Sequence, residues 1–393
     1  MIPPPISHEN DSAAAERLRR LFLIFGATQC AGRSAVYEAL SLAIAGDERL
    51  FGLLRDTPSD QQRPSLLFAC VNLLLATDLG HELAAYYPIH GGVRSVDERL
   101  APAFSAFCEA HRGALAGLLR QRSTQTNEIR RCVALALGLG HVQARWPGPL
   151  ALMEVGASAG LNLMFDHYRY RLGGPDVETG AGSPVVVSCE IRGAAPGASL
   201  LGAPPTITHR RGVDQHPIDL ADPDARAWLE AFIWPEQVQD LATLRGAIEL
   251  SRSNPAARVV SGEATADVAR LIAELPGVEP VAVFTASLLS YLPLTGRRAF
   301  LAQLDEAAAR RRVAWIFAEG PGLLATAGLT PPALSGPLAQ RNSLYLVGAS
   351  LRGAGGADTL LALADPYLRW LAPARDEHDE FHWVEERAYA ARP

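Results

Sequence analysis

The sequence predicts an α/β fold: a doubly wound, mostly parallel sheet with an antiparallel terminal hairpin, preceded by a helical N-terminal domain. Three observations support this prediction. Short apolar runs alternate with helical segments after residue 147, the first 146 residues show helical periodicity, and a small-residue turn follows the first apolar run. Strands that alternate with helices are typical of a parallel sheet covered on both faces. The predicted domains are 1–146 and 147–393, with a flap insertion at about 173–204.

Composition narrows the functional classes. The chain has 393 residues, 48% of them hydrophobic, and a net charge of −6. This length allows a sizeable core, and the acidic balance argues against a nucleic-acid partner. No apolar run reaches the length of a membrane span, and the N-terminus lacks the features of a signal peptide. Five scattered cysteines without a Cys-x-x-Cys pair predict a reduced, cytoplasmic protein without a metal site.

All basic residues other than histidine are arginines, because the chain contains no lysine. A Walker-type phosphate loop, a Schiff base to pyridoxal phosphate and kinase chemistry built on a strand lysine each need that residue. These classes are therefore excluded. A small-molecule substrate is the expected partner, and the sequence leaves the oligomeric state open.

Hydrophobic periodicity assigns the elements in chain order. Helices are predicted in the N-terminal domain at 15–25, 32–44, 65–77, 100–120 and 127–146, and later at 224–232, 237–252, 267–275 and 296–311. Strands are predicted at 150–155, 206–210, 258–264, 280–287 and 312–319. Segments 343–351 and 358–364 are joined by a glycine turn, which requires an antiparallel pair.

The first predicted strand ends in a turn of small residues, Gly156-Ala157-Ser158-Ala159-Gly160, followed by an apolar helical pattern. Glycines let a backbone approach a ligand closely, and amides at a helix start favour a negative group. Glu154, two residues before the first glycine, stands where a strand-end carboxylate meets a cationic or polar ligand. The alternative is that the glycines only permit tight packing of strand and helix.

The same five residues also match Gly-x-Ser-x-Gly, the nucleophile elbow of α/β-hydrolases, with Ser158 as the nucleophile. That fold needs several strands before the elbow and a late histidine, for which His378 and His382 are available. Because the region before residue 150 has a helical pattern, the nucleotide-binding interpretation is favoured.

A polar cluster precedes the helix that leads into the first strand. Thr124 or Thr126 is expected to cap this helix, with Glu128 near its positive end. The alternative is that Gln125, Asn127 and Glu128 face the turn after the first strand. The reversal imposed by the short 147–149 connection favours this alternative geometry.

Two carboxylates follow later strands of the predicted sheet. Asp214 follows the second strand, where a carboxylate binds ribose hydroxyls in dinucleotide folds. The usual spacing from the glycines is about 20 residues, so this assignment depends on the insertion at 173–204. The alternative is a simple turn residue. Glu263 ends the third strand in the same way.

Several of these segments together resemble a known family. They are 125–128, 154–163, 210–214, Trp228-Leu229, Trp234-Pro235-Glu236, and Ser287 with Tyr291. Over most of the chain they resemble the uncharacterised bacterial family called domain of unknown function 2332. That family in turn resembles class I S-adenosylmethionine-dependent methyltransferases, which have a methyltransferase-like (Rossmann-like) sheet.

The second resemblance implies a transferase that binds S-adenosylmethionine and methylates an unknown acceptor. The implied cofactor residues are Glu154, Gly156, Ala157, Ser158, Gly160, Asn162, Asp214, Glu263 and Ser287. Ser158 stands where the central glycine of the family motif is usual. Gln125, Asn127 and Thr285 are the expected substrate-side residues, with Glu128 and Glu319 as possible bases and Tyr291 as a possible acceptor-orienting group. A non-catalytic binding module with the same fold is a further alternative.

Overall fold

A computed structural model describes residues 8–173, 178–180, 182–192, 200–254, 257–329, 344–353 and 356–374. The chain forms two compact units, one of residues 1–126 and 222–244 and one of residues 127–221 and 245–393. The second unit includes the last helix before the first strand, and the first unit includes residues 222–244.

The helices among the described residues are α1 His8–Phe25, α2 Ala35–Ala45, α3 Glu48–Phe51, α4 Pro64–Leu75, α5 Leu100–Ala110, α6 Arg112–Gln121, α7 Arg131–Arg145, α8 Pro223–Ala231, α9 Val238–Ser253, α10 Val268–Ala273, α11 Leu294–Ala308 and α12 Pro321–Ala327. The strands are β1 Leu150–Val155, β2 Arg169–Leu172, β3 Glu178–Thr179, β4 Val186–Ile191, β5 Ile207–Asp214, β6 Ala257–Ser261, β7 Val281–Ala286, β8 Val313–Glu319, β9 Tyr345–Arg352, β10 Asp358–Ala364 and β11 Trp370–Pro373. None of the described helices is long and apolar enough to cross a membrane.

The first unit is helical and has an aromatic core. Phe68 stacks on Tyr37 with ring centroids 4.1 Å apart, and Trp234 packs 5.4 Å from Tyr37. Glu236 secures the start of α2, because its two oxygens accept from the Ser34 hydroxyl (2.6 Å) and the Val36 amide (2.9 Å). Trp234-Pro235-Glu236, one of the segments that carries the family resemblance, therefore has a structural role in this unit.

The second unit contains a mixed sheet of eleven strands among the described residues, in the order β3-β2-β4-β11-β10-β9-β8-β7-β1-β5-β6. Strands β6, β5, β1, β7 and β8 are parallel to one another. Beyond them β9, β10 and β11 alternate in direction, β4 and β2 pair in parallel, and β3 pairs antiparallel with β2.

The parallel strands are buried on both faces. On one face Met153 and Val283 share a core with Val268 of α10 and Phe300 of α11. On the other face α7 packs closely against β8. A Cβ at Gly138 would lie 2.3 Å from the Ile316 side chain, so only glycine fits there. Near-continuous apolar strands are expected where helices cover both faces of a sheet.

The central part of the predicted sheet is confirmed. β1 lies between β5 and β7, parallel to both, and no strand precedes it among residues 8–149. Segments 343–351 and 358–364 do form an antiparallel pair, β9 and β10. The predicted position of this hairpin at a sheet edge is wrong, however, because β10 also pairs with β11. An unpaired strand edge offers free amides and carbonyls, and here further strands use them.

Other predictions also differ from the structure. The described part of the predicted flap at 173–204 contributes β3 and β4 to the sheet. The sheet is mixed rather than mostly parallel, because β9, β10 and β11 alternate in direction and β3 pairs antiparallel with β2. The apolar pattern after the glycine turn forms a 3-10 helix, Leu161–His167, instead of an α-helix. The helix predicted from residue 127 begins at Arg131, and neither Thr124 nor Thr126 caps it, because its N-cap is Arg130. Residues 343, 378 and 382 lie outside the described ranges.

Candidate functional site

The order of the parallel strands defines a natural ligand position in the second unit. After β1 the chain forms β2, β3 and β4 at the far end of the sheet. Among the parallel strands, β5 and then β6 follow β1 on one side, and β7 and β8 are later added on the other side. The connections therefore reverse direction between β1 and β7. In open α/β sheets, ligands bind at the carboxyl ends of the strands at such a switch point. The candidate site consists of the residues at the ends of β1, β5, β7 and β8 around this point.

The turn after β1, residues 156–160, has a tightly constrained backbone. Gly156 and Gly160 have φ values of +79° and +72°, and Ser158 has a φ of +53°. A Cβ at Gly160 would lie 2.7 Å from the Val259 side chain, so the packing interpretation holds for this glycine. A serine in the left-handed region is uncommon and costs conformational energy.

Polar groups from β5 and from the start of the second unit hold this turn. Asp214 accepts the Ser158 amide (2.8 Å) with one oxygen and the His216 amide (2.9 Å) with the other. Asn127 accepts the Ala159 amide at 3.1 Å. The predicted approach of Asn127 to the glycine turn is confirmed. Each carboxylate oxygen of Asp214 has a further acceptor position, because a carboxylate offers about four lone-pair sites.

Glu154, at the end of β1, is a buried carboxyl group with one unused oxygen. Asn162 Nδ2 donates to Glu154 Oε1 at 2.8 Å, and the Cys132 thiol lies 3.3 Å from Asn162 Oδ1. Glu154 Oε2 has no hydrogen-bond partner among the described residues, although the side chain is only 4% exposed. Burial raises the pKa of Glu154 to about 8, against the hydrogen bond from Asn162 and the charge of Arg131. A buried polar atom without a partner is costly and indicates a site that a ligand completes.

Ser158 has a second unused polar atom. Its side chain is 4% exposed, and its hydroxyl has no hydrogen-bond partner in the described part of the chain. The hydrolase alternative requires a base bonded to this hydroxyl, and the described residues provide none. Ser158 therefore has an unpaired hydroxyl without the arrangement of an activated nucleophile.

The turn after β7 begins at Ser287, which also has a positive φ, of +64°. Its hydroxyl accepts from Arg131 Nη2 at 2.8 Å and lies 2.8 Å from the Tyr345 hydroxyl. Arg131 is the first residue of α7, and Tyr345 begins β9. Burial raises the pKa of Tyr345, so its hydroxyl stays protonated at neutral pH.

Glu319, the last residue of β8, is fully buried beneath the turn after β7. One oxygen accepts the Leu288 amide at 2.8 Å, and the Leu289 amide lies 3.4 and 3.3 Å from the two oxygens. Burial raises the pKa of Glu319 to about 7, against these amides, the Arg131 charge and the Thr285 hydroxyl. The carboxyl group is thus used to hold the turn.

The remaining predicted site residues lie in different surroundings. Thr285 is buried at the end of β7, where it accepts the Trp315 indole N–H at 3.0 Å. Glu263 and Tyr291 are exposed at the carboxyl ends of β6 and β7, and Glu263 accepts from Gln215 at 2.7 Å. Glu128 pairs with Arg130 at 3.1 Å. Gln125 belongs to the first compact unit.

Sequence reasoning missed three contributors to the site, namely Arg131, Tyr345 and Cys132. Arg131 carried a detectable signal, because two arginines at the positive end of a helix oppose the helix dipole. Tyr345 carried no local signal, since only the strand order brings β9 beside β8 and so close to Ser287. No group of three or more metal-ligating side chains occurs among the described residues.

Comparison with known proteins agrees with the resemblance found in the sequence. No curated protein matches the chain. A family model described as an uncharacterized protein conserved in bacteria (DUF2332) matches residues 19–372, which include every strand of the parallel sheet and the entire candidate site. The chain therefore belongs to this bacterial family, domain of unknown function 2332.

Proposed function

We propose that the second unit binds S-adenosylmethionine at the β1–β7 switch point and transfers its methyl group to a small-molecule acceptor. The observation that carries this proposal is the unused Oε2 of buried Glu154 at the end of β1. The parallel order β6-β5-β1-β7-β8 supports it, since it matches the classic nucleotide-binding order 3-2-1-4-5.

The residues present fit the chemical groups of this cofactor. Its amino-acid part carries an ammonium group, and a buried carboxyl oxygen without a partner suits a cation. Asp214 holds the glycine turn and retains acceptor positions for ribose hydroxyls. Gly156 allows the backbone to approach a ligand, because only the Leu288 side chain lies near the position of its Cβ, at 3.3 Å. The fit is thus carried by Glu154, Gly156 and Asp214 together.

The bound cofactor would supply an electrophilic methyl group attached to a good leaving group. The contribution of the chain is therefore alignment and the exclusion of water. Glu154 and Asp214 would fix the two ends of the cofactor, and the residues around Ser287 would orient the acceptor. Glu319 is less suited to be the base proposed from the sequence, because amide hydrogens occupy its oxygens. We assign it to positioning the turn after β7.

The raised pKa of Glu154 gives this binding a proton signature. At pH 7 the free carboxyl group is mostly protonated, because its pKa is about 8. An ammonium group favours the ionised carboxylate, so binding would release a proton from Glu154. The affinity for the cofactor would accordingly rise as the pH increases towards 8.

Two alternatives receive less support. A hydrolase needs a base at the Ser158 hydroxyl and strands before the elbow, and neither occurs among the described residues. A non-catalytic module would use the same cofactor site without an acceptor. Finding methyl transfer would separate it from the enzyme.

The test is calorimetric titration of the full chain with S-adenosylhomocysteine, with NAD and ATP as comparison ligands. Of these three ligands, wild-type protein should bind only S-adenosylhomocysteine. The Glu154→Gln substitution should weaken this binding by about 10- to 100-fold, which corresponds to a charge-assisted hydrogen bond of roughly 1.5–3 kcal/mol. Glu306→Gln makes the same substitution at an exposed position on α11 and serves as the matched control.

Wild-type binding of S-adenosylhomocysteine that equals that of Glu154→Gln would contradict the proposed site. Covalent labelling of Ser158 by a fluorophosphonate would instead support the hydrolase. Titration in buffers of different ionisation enthalpy should reveal release of up to one proton at pH 7, and this release should be absent in Glu154→Gln.

A further inference from the structure

The β7 side of the switch point carries a second polar group that the proposed cofactor contacts leave unused. It consists of Arg131, Ser287 and Tyr345, which we call the Arg131 cluster. Ser287 is 9% exposed, and the other two are partly buried. The cluster lies at the starts of α7 and β9 and at the end of β7, whereas Asp214 lies on the opposite side of β1.

The Arg131 cluster has more hydrogen-bond donors than acceptors. Arg131 donates to the Ser287 hydroxyl through Nη2, while its buried Nε has no partner among the described residues. Ser287 and Tyr345 share one hydrogen bond, which uses one of their two hydroxyl hydrogens. In either orientation of this bond, one hydroxyl hydrogen remains to be donated. A ligand that completes the cluster must therefore supply acceptors.

The charge of Arg131 leads to the same conclusion. Two buried carboxyl groups, Glu154 and Glu319, interact electrostatically with Arg131, and burial raises the pKa of each. Glu319 is therefore partly protonated at neutral pH, as is Glu154 before the cofactor binds, so the two groups neutralise the guanidinium only in part. Arg131 also lies at the positive end of α7, where a cation is disfavoured unless an anion accompanies it.

We propose that the methyl acceptor carries a carboxylate group that the Arg131 cluster binds. This inference rests on the proposed function and adds the chemical class of the acceptor. Guanidinium Nε and Nη groups form a planar fork that matches a carboxylate, and the remaining hydroxyl hydrogen is a third donor. The cofactor lies on the β1–β5 side and the acid group on the β7–β9 side, so the acceptor's reactive atom would lie between them. Arg131 is thus a binding residue for the acceptor.

The test measures binding of small carboxylates to the full chain saturated with S-adenosylhomocysteine. Acetate, succinate and benzoate are the probes, benzamide is the neutral analogue of benzoate, and inorganic phosphate tests a different oxyanion. Saturation-transfer NMR gives the dissociation constants. At least one carboxylate should bind wild-type protein, with tenfold or greater weakening in Arg131→Gln, and benzamide should not bind. Arg270→Gln, which removes an exposed arginine on α10, should leave binding unchanged.

If Arg131→Gln does not fold, Tyr345→Phe still tests the proposal. This variant removes one hydroxyl group and should weaken the bound carboxylate about threefold or more. Binding of none of the carboxylates, binding equal in wild type and both variants, or tighter binding of phosphate would each overturn the proposal.

A second arm separates the acceptor from the cofactor's own carboxylate. S-adenosylhomocysteine and 5′-methylthioadenosine, which lacks the amino-acid part, are titrated into wild type and Arg131→Gln. Unchanged affinity for both supports the assignment to the acceptor. A tenfold loss for S-adenosylhomocysteine alone would assign Arg131 to the cofactor and overturn it. If wild type binds neither nucleoside, the proposed function fails, and the carboxylate titrations without nucleoside still test the Arg131 cluster.

Discussion

Two neighbouring turns at the same edge of the sheet share a backbone arrangement but differ in the hydrogen bonds of their serine side chains. The turns after β1 and β7 each contain a serine with a positive φ, Ser158 and Ser287. In each turn a carboxylate from the adjacent outer strand accepts backbone amides, Asp214 in the first and Glu319 in the second. The Ser158 hydroxyl has no partner among the described residues, while the Ser287 hydroxyl bonds Arg131 and Tyr345.

The difference separates structural roles from binding roles. Around the β7 turn the buried carboxyl of Glu319 is occupied, so its burial is offset by the contacts that shape the turn. Around the β1 turn Glu154 and Ser158 keep unused atoms, and burial of such atoms destabilises the free protein. Strain and unsatisfied groups of this kind concentrate at binding sites, where a ligand offsets them.

The largest expected effect concerns Glu154 and pH. Its folded pKa of about 8 lies above the unfolded value of 4.5, so the unfolded chain loses the proton first. The contribution of Glu154 to the free energy of unfolding is therefore fully present below about pH 4.5 and is lost as the pH rises to about 8. The loss is at most about 5 kcal/mol, since one pKa unit corresponds to about 1.4 kcal/mol.

Urea unfolding of wild type and Glu154→Gln between pH 5 and 9 measures this effect. Glu154→Gln should lose less stability over this range and should be the more stable protein at pH 8.5. Glu306→Gln, on the exposed face of α11, should follow wild type. If the free energies of unfolding of wild type and Glu154→Gln change in parallel with pH, Glu154 has no raised pKa in the folded protein. The proposed difference between the two turns would then be wrong.

The next effect compares the two carboxylates that hold the turns. Glu319→Ala leaves the Leu288 and Leu289 amides unpaired inside the protein and should lower the free energy of unfolding at pH 6 by about 3 kcal/mol. Asp214→Ala should cost less, about 1–2 kcal/mol, because water reaches the exposed amide of His216 and only the Ser158 amide is left unpaired in a buried position. Equal losses in denaturant unfolding would show that burial does not distinguish these contacts.

The smallest effect concerns the serines themselves. Glycine adopts a positive φ without steric cost, so Ser158→Gly should stabilise the fold slightly, by up to about 1 kcal/mol. Ser287→Gly gains the same relief but loses the bonds to Arg131 and Tyr345, and the net change should be a loss of about 1 kcal/mol.

Thermal unfolding distinguishes these two outcomes, with Ser158→Ala and Ser287→Ala as controls that retain the strained backbone. Ser158→Gly should also retain S-adenosylhomocysteine binding. The same sign of change for both glycine variants would mean that the two hydroxyls contribute equally.

Local pattern was enough to predict most of the elements. Strands β1 and β10 have the predicted bounds, and β1 lies between two parallel neighbours as predicted. The glycine turn, Glu154 and Asp214 were recognised because their chemistry follows directly from a strand end. The helix start predicted at residue 127 was not, because α7 begins at Arg131, and Asn127 instead accepts the Ala159 amide from 32 residues away.

The sequence by itself determined the alternation of strands and helices, the small-residue turn after β1 and the carboxylates at the strand ends. Hydrophobic period and turn chemistry are local, so they can be read along the chain. Only the tertiary structure decided which side chains keep unused atoms. Glu154 and Glu319 are both strand-end glutamates, yet one retains an unpaired oxygen and the other holds two amides. That difference depends on strand order and on the approach of α7, which bring Arg131 and Tyr345 to Ser287 from 156 and 58 residues away.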